Sequence, residues 1–266
     1  MTYSRVGRGL ALALAMILMA LTVAACDSDS DAAVVTTEAA TVSSTEVEAS
    51  SDSDDVQTSD ASPTDPVDET QAVPARAESD GHLAAQLDEI PPAELSEQEA
   101  ADILWMREEE KVARDVYLTL GELWDVRVFT NIAGAEDMHM SSMLELIDRY
   151  DLEDPVGDNA AGVFTNPDIQ ALYDSLVAEG SQSLEDALIV GATIEDLDIF
   201  DLQVATAATD NEDIALVYAN LEMGSRNHMR AFYRQLDKND VDYEPAYISQ
   251  AEYDSIISSA SERGNA

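Results

Sequence analysis

Cysteine is almost absent from this chain. Of 266 residues only Cys26 is a cysteine, so no intrachain disulfide can form, and thiolate metal sites and cysteine nucleophiles are excluded from a folded core. Any metal held by protein groups must have oxygen and nitrogen ligands. Positive charge is scarce too. Thirteen basic residues, two of them lysines (Lys111 and Lys238), stand against fifty-five acidic ones, for a formal net charge of −42. That sign disfavours nucleic-acid binding and attraction to anionic headgroups. An acid-rich, lysine-poor surface suits a protein in high salt, where self-repulsion is screened. Strand-like alternation of useful length is missing as well, which leaves an all-α fold class.

The N-terminus has its own pattern. Arg5 and Arg8 precede an uncharged apolar run from Leu10 to Ala25. That length fits the hydrophobic region of a secretory signal and is short for a membrane span. The run ends in Val23-Ala24-Ala25-Cys26, which looks like a bacterial lipobox. The expectation is a lipoprotein signal over 1–25 and a lipidated Cys26 that anchors the protein outside the cytoplasm on a bacterial membrane. Two acyl chains give stable anchoring where one does not. Residues 26–95 are rich in Ser, Thr, Asp, Glu and Ala, as in Ser51-Asp52-Ser53-Asp54-Asp55, and show no apolar period. Such a stretch cannot bury enough apolar surface to offset its ordering entropy and is expected to be a disordered acidic tether. His82 falls within it and reads as a spacer residue.

Helical periodicity begins at Ser96, which forms a capping box with Glu99. A folded domain is expected over 96–262. Its first seam runs Ile103, Met106, Glu110, Ala113, Tyr117, Leu120, Trp124, and its second Ile132, Glu136, His139, Met143, Leu146, Tyr150. Asp154-Pro155 breaks the second helix. A short helix starts at Asn166-Pro167 and stops at Gly180. The third long helix spans about Ser183 to Ala207. The fourth is expected to open at Thr209 with Glu212 completing a capping box, and its seam reads Ile214, Tyr218, Leu221, Ser225, His228, Phe232, Gln235. Ser249 and Glu252 open a short last helix.

These seams carry residues that do not belong in a hydrophobic core. Glu110, Glu136, His139, Ser225 and His228 all sit at mid-length, and a buried lone carboxylate is strongly unfavourable unless paired or metal-bound. The Glu136-x-x-His139 spacing puts both side chains on one helix face, a turn apart. Bundle di-iron sites present a carboxylate and an imidazole in this way. The third helix offers Glu195 and Asp198, but Ile194 and Leu197 define an equally good apolar stripe one position away. Both histidines of the folded part lie on seams. Together the residues point to a centre for iron or manganese, one or two ions, since oxygen-rich shells favour those metals.

The run Glu110-Lys111-Val112-Ala113-Arg114-Asp115-Val116-Tyr117 resembles the first helix of rubrerythrin-like ferritins, and Glu136-Asp137-Met138-His139 looks like their metal-binding E-x-x-H. More closely, Met106-Arg107-Glu108-Glu109-Glu110, Gly191-Ala192-Thr193-Ile194-Glu195-Asp196-Leu197-Asp198 and Gly224-Ser225-Arg226-Asn227-His228 together resemble a ferritin-like branch known only as domain of unknown function 2202. The resemblance covers about Leu95 to Ile257. It implies a ferritin-like four-helix bundle with a short extra helix between helices two and three and a short C-terminal helix. It also implies that Glu110 is a terminal carboxylate, Glu136 a bridging one, His139 and His228 the imidazoles and Glu195 the third-helix carboxylate. Ser225 departs from the pattern, since a second E-x-x-H needs Glu there. Asp198, or else Glu222, is the expected substitute.

Two functions compete. One is a redox metalloprotein that oxidises ferrous iron or reduces oxygen or peroxide, with Tyr117 either core packing or a radical or hydrogen-bond partner of the site. Its electron donor would be a separate protein, because the chain has no rubredoxin-like cysteine module. The other is a non-enzymatic structural or interaction module, in which the seam Glu and His residues form a metal-free network with Arg107 or Arg114. Whether the domain pairs as a homodimer is not fixed by the sequence.

Overall fold

The computed structural model describes residues 78–263. The signal read at 1–25, the lipidation site Cys26 and the tether as far as residue 77 lie outside the described residues. Seven helices and no strand occur among those described: α1 Glu78–Glu89, α2 Glu97–Trp124, α3 Arg127–Arg149, α4 Pro167–Gly180, α5 Leu184–Ala208, α6 Glu212–Lys238 and α7 Gln250–Ser258. No described helix is long and apolar enough to cross a membrane.

Two expectations about element boundaries are corrected. The segment 26–95 was expected to lack structure throughout, yet its last part forms α1. Leu83 and Leu87 are buried there and join the cluster around Leu146 and Tyr218; two leucines one turn apart are enough once a neighbouring surface receives them. The fourth long helix does not start with a Thr209–Glu212 capping box. Its N-cap is Asn211, which makes no side-chain cap bond. Thr209 Oγ1 instead donates to Glu99 Oε1 at 2.6 Å and accepts from Asn211 N. The other caps follow the sequence, with a reciprocal Ser96–Glu99 box on α2 and side-chain caps from Asn166, Ser183 and Ser249.

The long helices pack as two antiparallel hairpins. The two-residue link Asp125–Val126 turns α3 back along α2, so that Glu110 meets His139 and Arg107 meets the Met140 carbonyl. α6 returns along α5, pairing Asp198 with Ser225 and Gln203 with Glu222. Contacts of Tyr117 with Glu195, and of Tyr150 with Asp213, close the bundle between α2 and α5 and between α3 and α6. α3 and α5 therefore run in the same direction. Residues 150–183, with α4 embedded, carry the chain from one end of the bundle to the other. This crossover is tied to α2, since Glu108 accepts from Thr165 N and Asn166 N, and the buried Lys111–Asp115 pair binds the Ala160 carbonyl and Gly162 N.

Apolar packing divides into two clusters. One gathers Tyr117, Phe129, Leu172, Ile194 and Phe232; the other gathers Ile103, Met106, Leu146, Ile214 and Tyr218. At Gly191 the Phe232 ring occupies the space a Cβ would need, which lets α5 and α6 approach closely. On α2, α3 and α6 the boundary between clusters falls at Glu110, at Glu136 and His139, and at Ser225 and His228. The polar seam residues form a layer across the middle of the bundle.

Asp196, fully buried on α5, anchors the C-terminal segment. It accepts from Ala246 N at 2.5 Å, Ile248 N at 2.9 Å, Tyr247 N at 3.1 Å and Tyr243 OH at 2.9 Å. Removing the acceptor would strand several donors, each at the cost of an unsatisfied buried group. Asp196→Ala is therefore expected to destabilise the fold by about 2–3 kcal/mol in urea unfolding. The amides of 246–248 should lose hydrogen-exchange protection first; unchanged protection would contradict this anchoring role.

Candidate metal centre

The antiparallel registers bring one polar patch of each long helix to the same level. α2 contributes Glu110, α3 Glu136 and His139, α5 Glu195 and Asp198, and α6 Ser225 and His228. Glu110, Glu136 and Glu195 are each no more than 2 % exposed. The histidine side chains are slightly more open, at 12 % for His139 and 11 % for His228. Gly224, one turn before His228, makes room for the first of them: a Cβ there would collide with His139 Nε2.

Glu136 is central. Its Oε2 lies 2.8 Å from His139 Nδ1, and its Oε1 lies 2.9 Å from His228 Nδ1. Each imidazole nitrogen also faces a second carboxylate. His139 Nδ1 is 3.1 Å from Glu110 Oε2, and His228 Nδ1 is 3.4 Å from Glu195 Oε2. The ring centroids are 5.3 Å apart. One potential ligand atom from each of Glu136, His139 and His228 falls within 4.8 Å of the others. Close approach is only partly matched by bonding. His228 Nδ1 makes no hydrogen bond of acceptable geometry despite its short distances, and Glu110 Oε1 and Asp198 Oδ1 are buried without partners. Unpartnered buried oxygen and nitrogen atoms that converge on one another are a set that could hold a metal ion.

The electrostatics agree. Burial pushes the Glu110 carboxyl up to about 7, although the His139 charge pulls against it. Burial raises Glu195 as well, and it raises Asp198 strongly, with the charges of Glu110 and Glu195 adding to the effect. Glu136 goes the other way: burial would raise it, but the charges of His228 and His139 hold it below the usual carboxylate range. The imidazoles answer in kind. Burial would lower both, yet Glu136 and Glu195 push His228 up to about 10, and Glu110 and Glu136 raise His139 well above its ordinary value. Among the described residues no Lys or Arg forms an ion pair with Glu110, Glu136, Glu195 or Asp198.

Five of the residues expected from the sequence, Glu110, Glu136, His139, Glu195 and His228, thus meet in one layer. Asp198 adjoins it, and its Oδ2 is bonded to Ser225 Oγ. Glu222 does not join: its carboxylate pairs with Arg226 at 2.7 Å and accepts from Gln203, which turns it along the helix surface. Arg107 and Arg114, the partners a metal-free network would need, are engaged elsewhere, with Asp154 and the Met140 carbonyl and with Asp115 and Asp137. Tyr117 is both core packing and a hydrogen-bond partner of the site. Its ring packs on Phe129 and Phe232, and its hydroxyl donates to Glu195 Oε1 at 2.5 Å. Glu109, buried beside this layer, was missed because it stands one position off the seam in an acidic run that reads as solvated.

The whole layer lies inside a match to the uncharacterized protein domain DUF2202 over residues 99–260. An uncharacterized protein of Methanocaldococcus jannaschii, MJ0754, is 53 % identical over 175 residues, covering 66 % of this chain and 95 % of its own. The crystal structure of that hypothetical protein superposes with a TM-score of 0.64 at 52 % identity, over 65 % of this chain and 99 % of the other. The match takes in all but the first two residues of α2, the whole of α3 to α7 and all the residues of the centre, and the chain belongs to the DUF2202 family.

Proposed function

We propose that this chain is a metal-binding protein with a ferritin-like four-helix bundle, whose centre holds iron or manganese between Glu110, Glu136, His139, Glu195 and His228. The observation that carries this is the two-sided placement of Glu136. One oxygen faces His139 beside Glu110, and the other faces His228 beside Glu195. Two ion positions sharing one carboxylate fit that arrangement better than one. Charge points the same way: two divalent ions would neutralise the carboxylates of Glu110, Glu136, Glu195 and Asp198, for which the described residues offer no Lys or Arg. Support for the ferritin-like fold comes from the up–down–down–up order with one long crossover, and from carboxylates on two helices facing Glu136-x-x-His139 and Ser225-x-x-His228 on the other two.

When bound, such a metal supplies one-electron oxidation and reduction, the chemistry of ferrous-iron oxidation and of oxygen or peroxide reduction. The protein's own groups prepare the place. Glu136 and the two imidazoles fix the spacing. Tyr117, whose hydroxyl burial holds well above its ordinary pKa, keeps its proton and orients Glu195. The apolar clusters on either side exclude water, while the slightly exposed histidines leave the layer reachable from the α3–α6 face. Electrons for turnover would come from a separate partner. Export and a lipid anchor at Cys26 are part of the proposal, on the strength of Arg5, Arg8, the apolar run and Val23-Ala24-Ala25-Cys26.

Two outcomes test the centre. Purified full-length protein is expected to contain one or two iron or manganese ions per chain, and His139→Ala with His228→Ala should weaken binding at least about 100-fold. Unchanged stoichiometry in the double variant would count against the site. Metal uptake should also release protons. The neighbouring carboxylates keep both imidazoles charged at pH 7, His228 up to about 10, and only the neutral ring can ligate. Burial also raises Glu110, Glu195 and Asp198, so adding Mn2+ to unbuffered metal-stripped protein is expected to acidify the solution by at least about two protons per chain, with affinity rising with pH. Uptake without proton release would contradict ligation by this set of residues.

A further inference from the structure

His139 on α3 and His228 on α6 keep a slight exposure, and α1 is seated against the same two helices. Its attachment is slight. Leu83 and Leu87, one turn apart on one side of α1, are its buried side chains among the described residues. They join the cluster of Met143, Leu146, Tyr218 and Leu221, which lies on α3 and α6 between the polar layer and one end of the bundle. At that end Arg149 donates to the Ile90 carbonyl, just after α1. The helix thus extends from the bundle end back towards the layer. At about 1.5 Å per residue its 12 residues cover about 18 Å, and α3 covers about 15 Å between Arg149 and His139. It is long enough to reach the level of His139. A helix this short is marginal by itself, so leaving the groove and unwinding are one event. Segments with so few buried apolar contacts open at less than the cost of global unfolding.

We infer that α1 is a displaceable cover over the α3–α6 groove, which limits the approach of ions and small solutes to His139 and His228 while seated and admits them when it lifts. Its hinge is the link that follows it. Arg149 holds the Ile90 carbonyl and Asn211 that of Glu94, so this link stays fixed to α3 and α6 while α1 swings away. The four long helices hold one another without α1, through both apolar clusters and through the bonds of Tyr117 to Glu195 and Tyr150 to Asp213. Opening is therefore local, and the polar layer keeps its geometry. Gating of metal entry rests on the proposed metal centre; the covering of the imidazoles does not.

Hydrogen exchange on the full-length protein tests the opening. The amides of 83–89 are expected to exchange at least about tenfold faster than those of 139–147 on α3. Equal protection, with α1 opening only when the bundle unfolds, would overturn the cover. Access is read by diethyl pyrocarbonate, which acylates exposed imidazoles, on metal-stripped full-length protein with mass spectrometry. Leu83→Ala with Leu87→Ala should raise labelling of His139 and His228 at least about fivefold, and speed Mn2+ entry in step, while circular dichroism shows the bundle intact. Leu172→Ala, in the other apolar cluster, weakens the bundle without touching α1 and should leave labelling as in wild type. Labelling no faster in the double leucine variant than in wild type, or equally fast in L172A, would overturn the proposal. Faster labelling in the double leucine variant, when neither it nor wild type takes up Mn2+, would uphold the cover and remove the centre.

Discussion

Four carboxylates, from Glu110, Glu136, Glu195 and Asp198, share a deeply buried layer with two imidazoles. Each charge would be prohibitively costly alone, and burial of so many like charges together compounds the cost. The protein supplies only partial relief. Protonated imidazoles can balance two of the charges, Tyr117 and Ser225 each donate one hydrogen bond, and burial drives protons onto Glu110, Glu195 and Asp198. Orphaned donor atoms remain even so. The packing around the layer is what holds it together. Divalent metal ions are the simplest species that would satisfy all of it at once.

Tolerance begins with the packing. Each of the two apolar clusters spans several helices, so the bundle holds together on both sides of the polar level. The crossover is fixed to α2 by Glu108 and by the Lys111–Asp115 pair, and the C-terminal segment to α5 by Asp196 and to α6 by Arg226 and Arg230 through Glu262. With helix positions fixed from outside, the side chains of the layer have little freedom to separate. Close approach matters as well. Gly191 lets Phe232 reach α5, and Gly224 leaves space for His139. A methyl group at Gly224 would displace the ring that carries one half of the Glu136 arrangement.

The sequence made α2, α3 and α6 legible because each has a clear apolar stripe, and an intruding Glu or His stands out against it. α5 resisted for the opposite reason. Ile194, Glu195, Leu197 and Asp198 are all buried, so hydropathy had no exposed face from which to set a register. Glu109 was hidden by its neighbours: in Glu108-Glu109-Glu110 all three carboxylates are buried, each with different partners, and an acidic run is ordinarily solvent-facing. Glu222 was a fair candidate by spacing, but Arg226 one turn on draws it away. α1 escaped notice because Leu83 and Leu87 gain their partners only from a tertiary surface, as Thr209 gains Glu99. Local signals cannot show a partner more than a hundred residues distant.

The central claim concerns what lies beside Glu136. Anomalous X-ray scattering, measured at the iron and manganese edges on crystals of the natively loaded protein, addresses it directly. The expected result is a pair of peaks, one between Glu136, His139 and Glu110 and the other between Glu136, His228 and Glu195. A map without anomalous density there, in which both imidazoles simply bond the carboxylates, would contradict it.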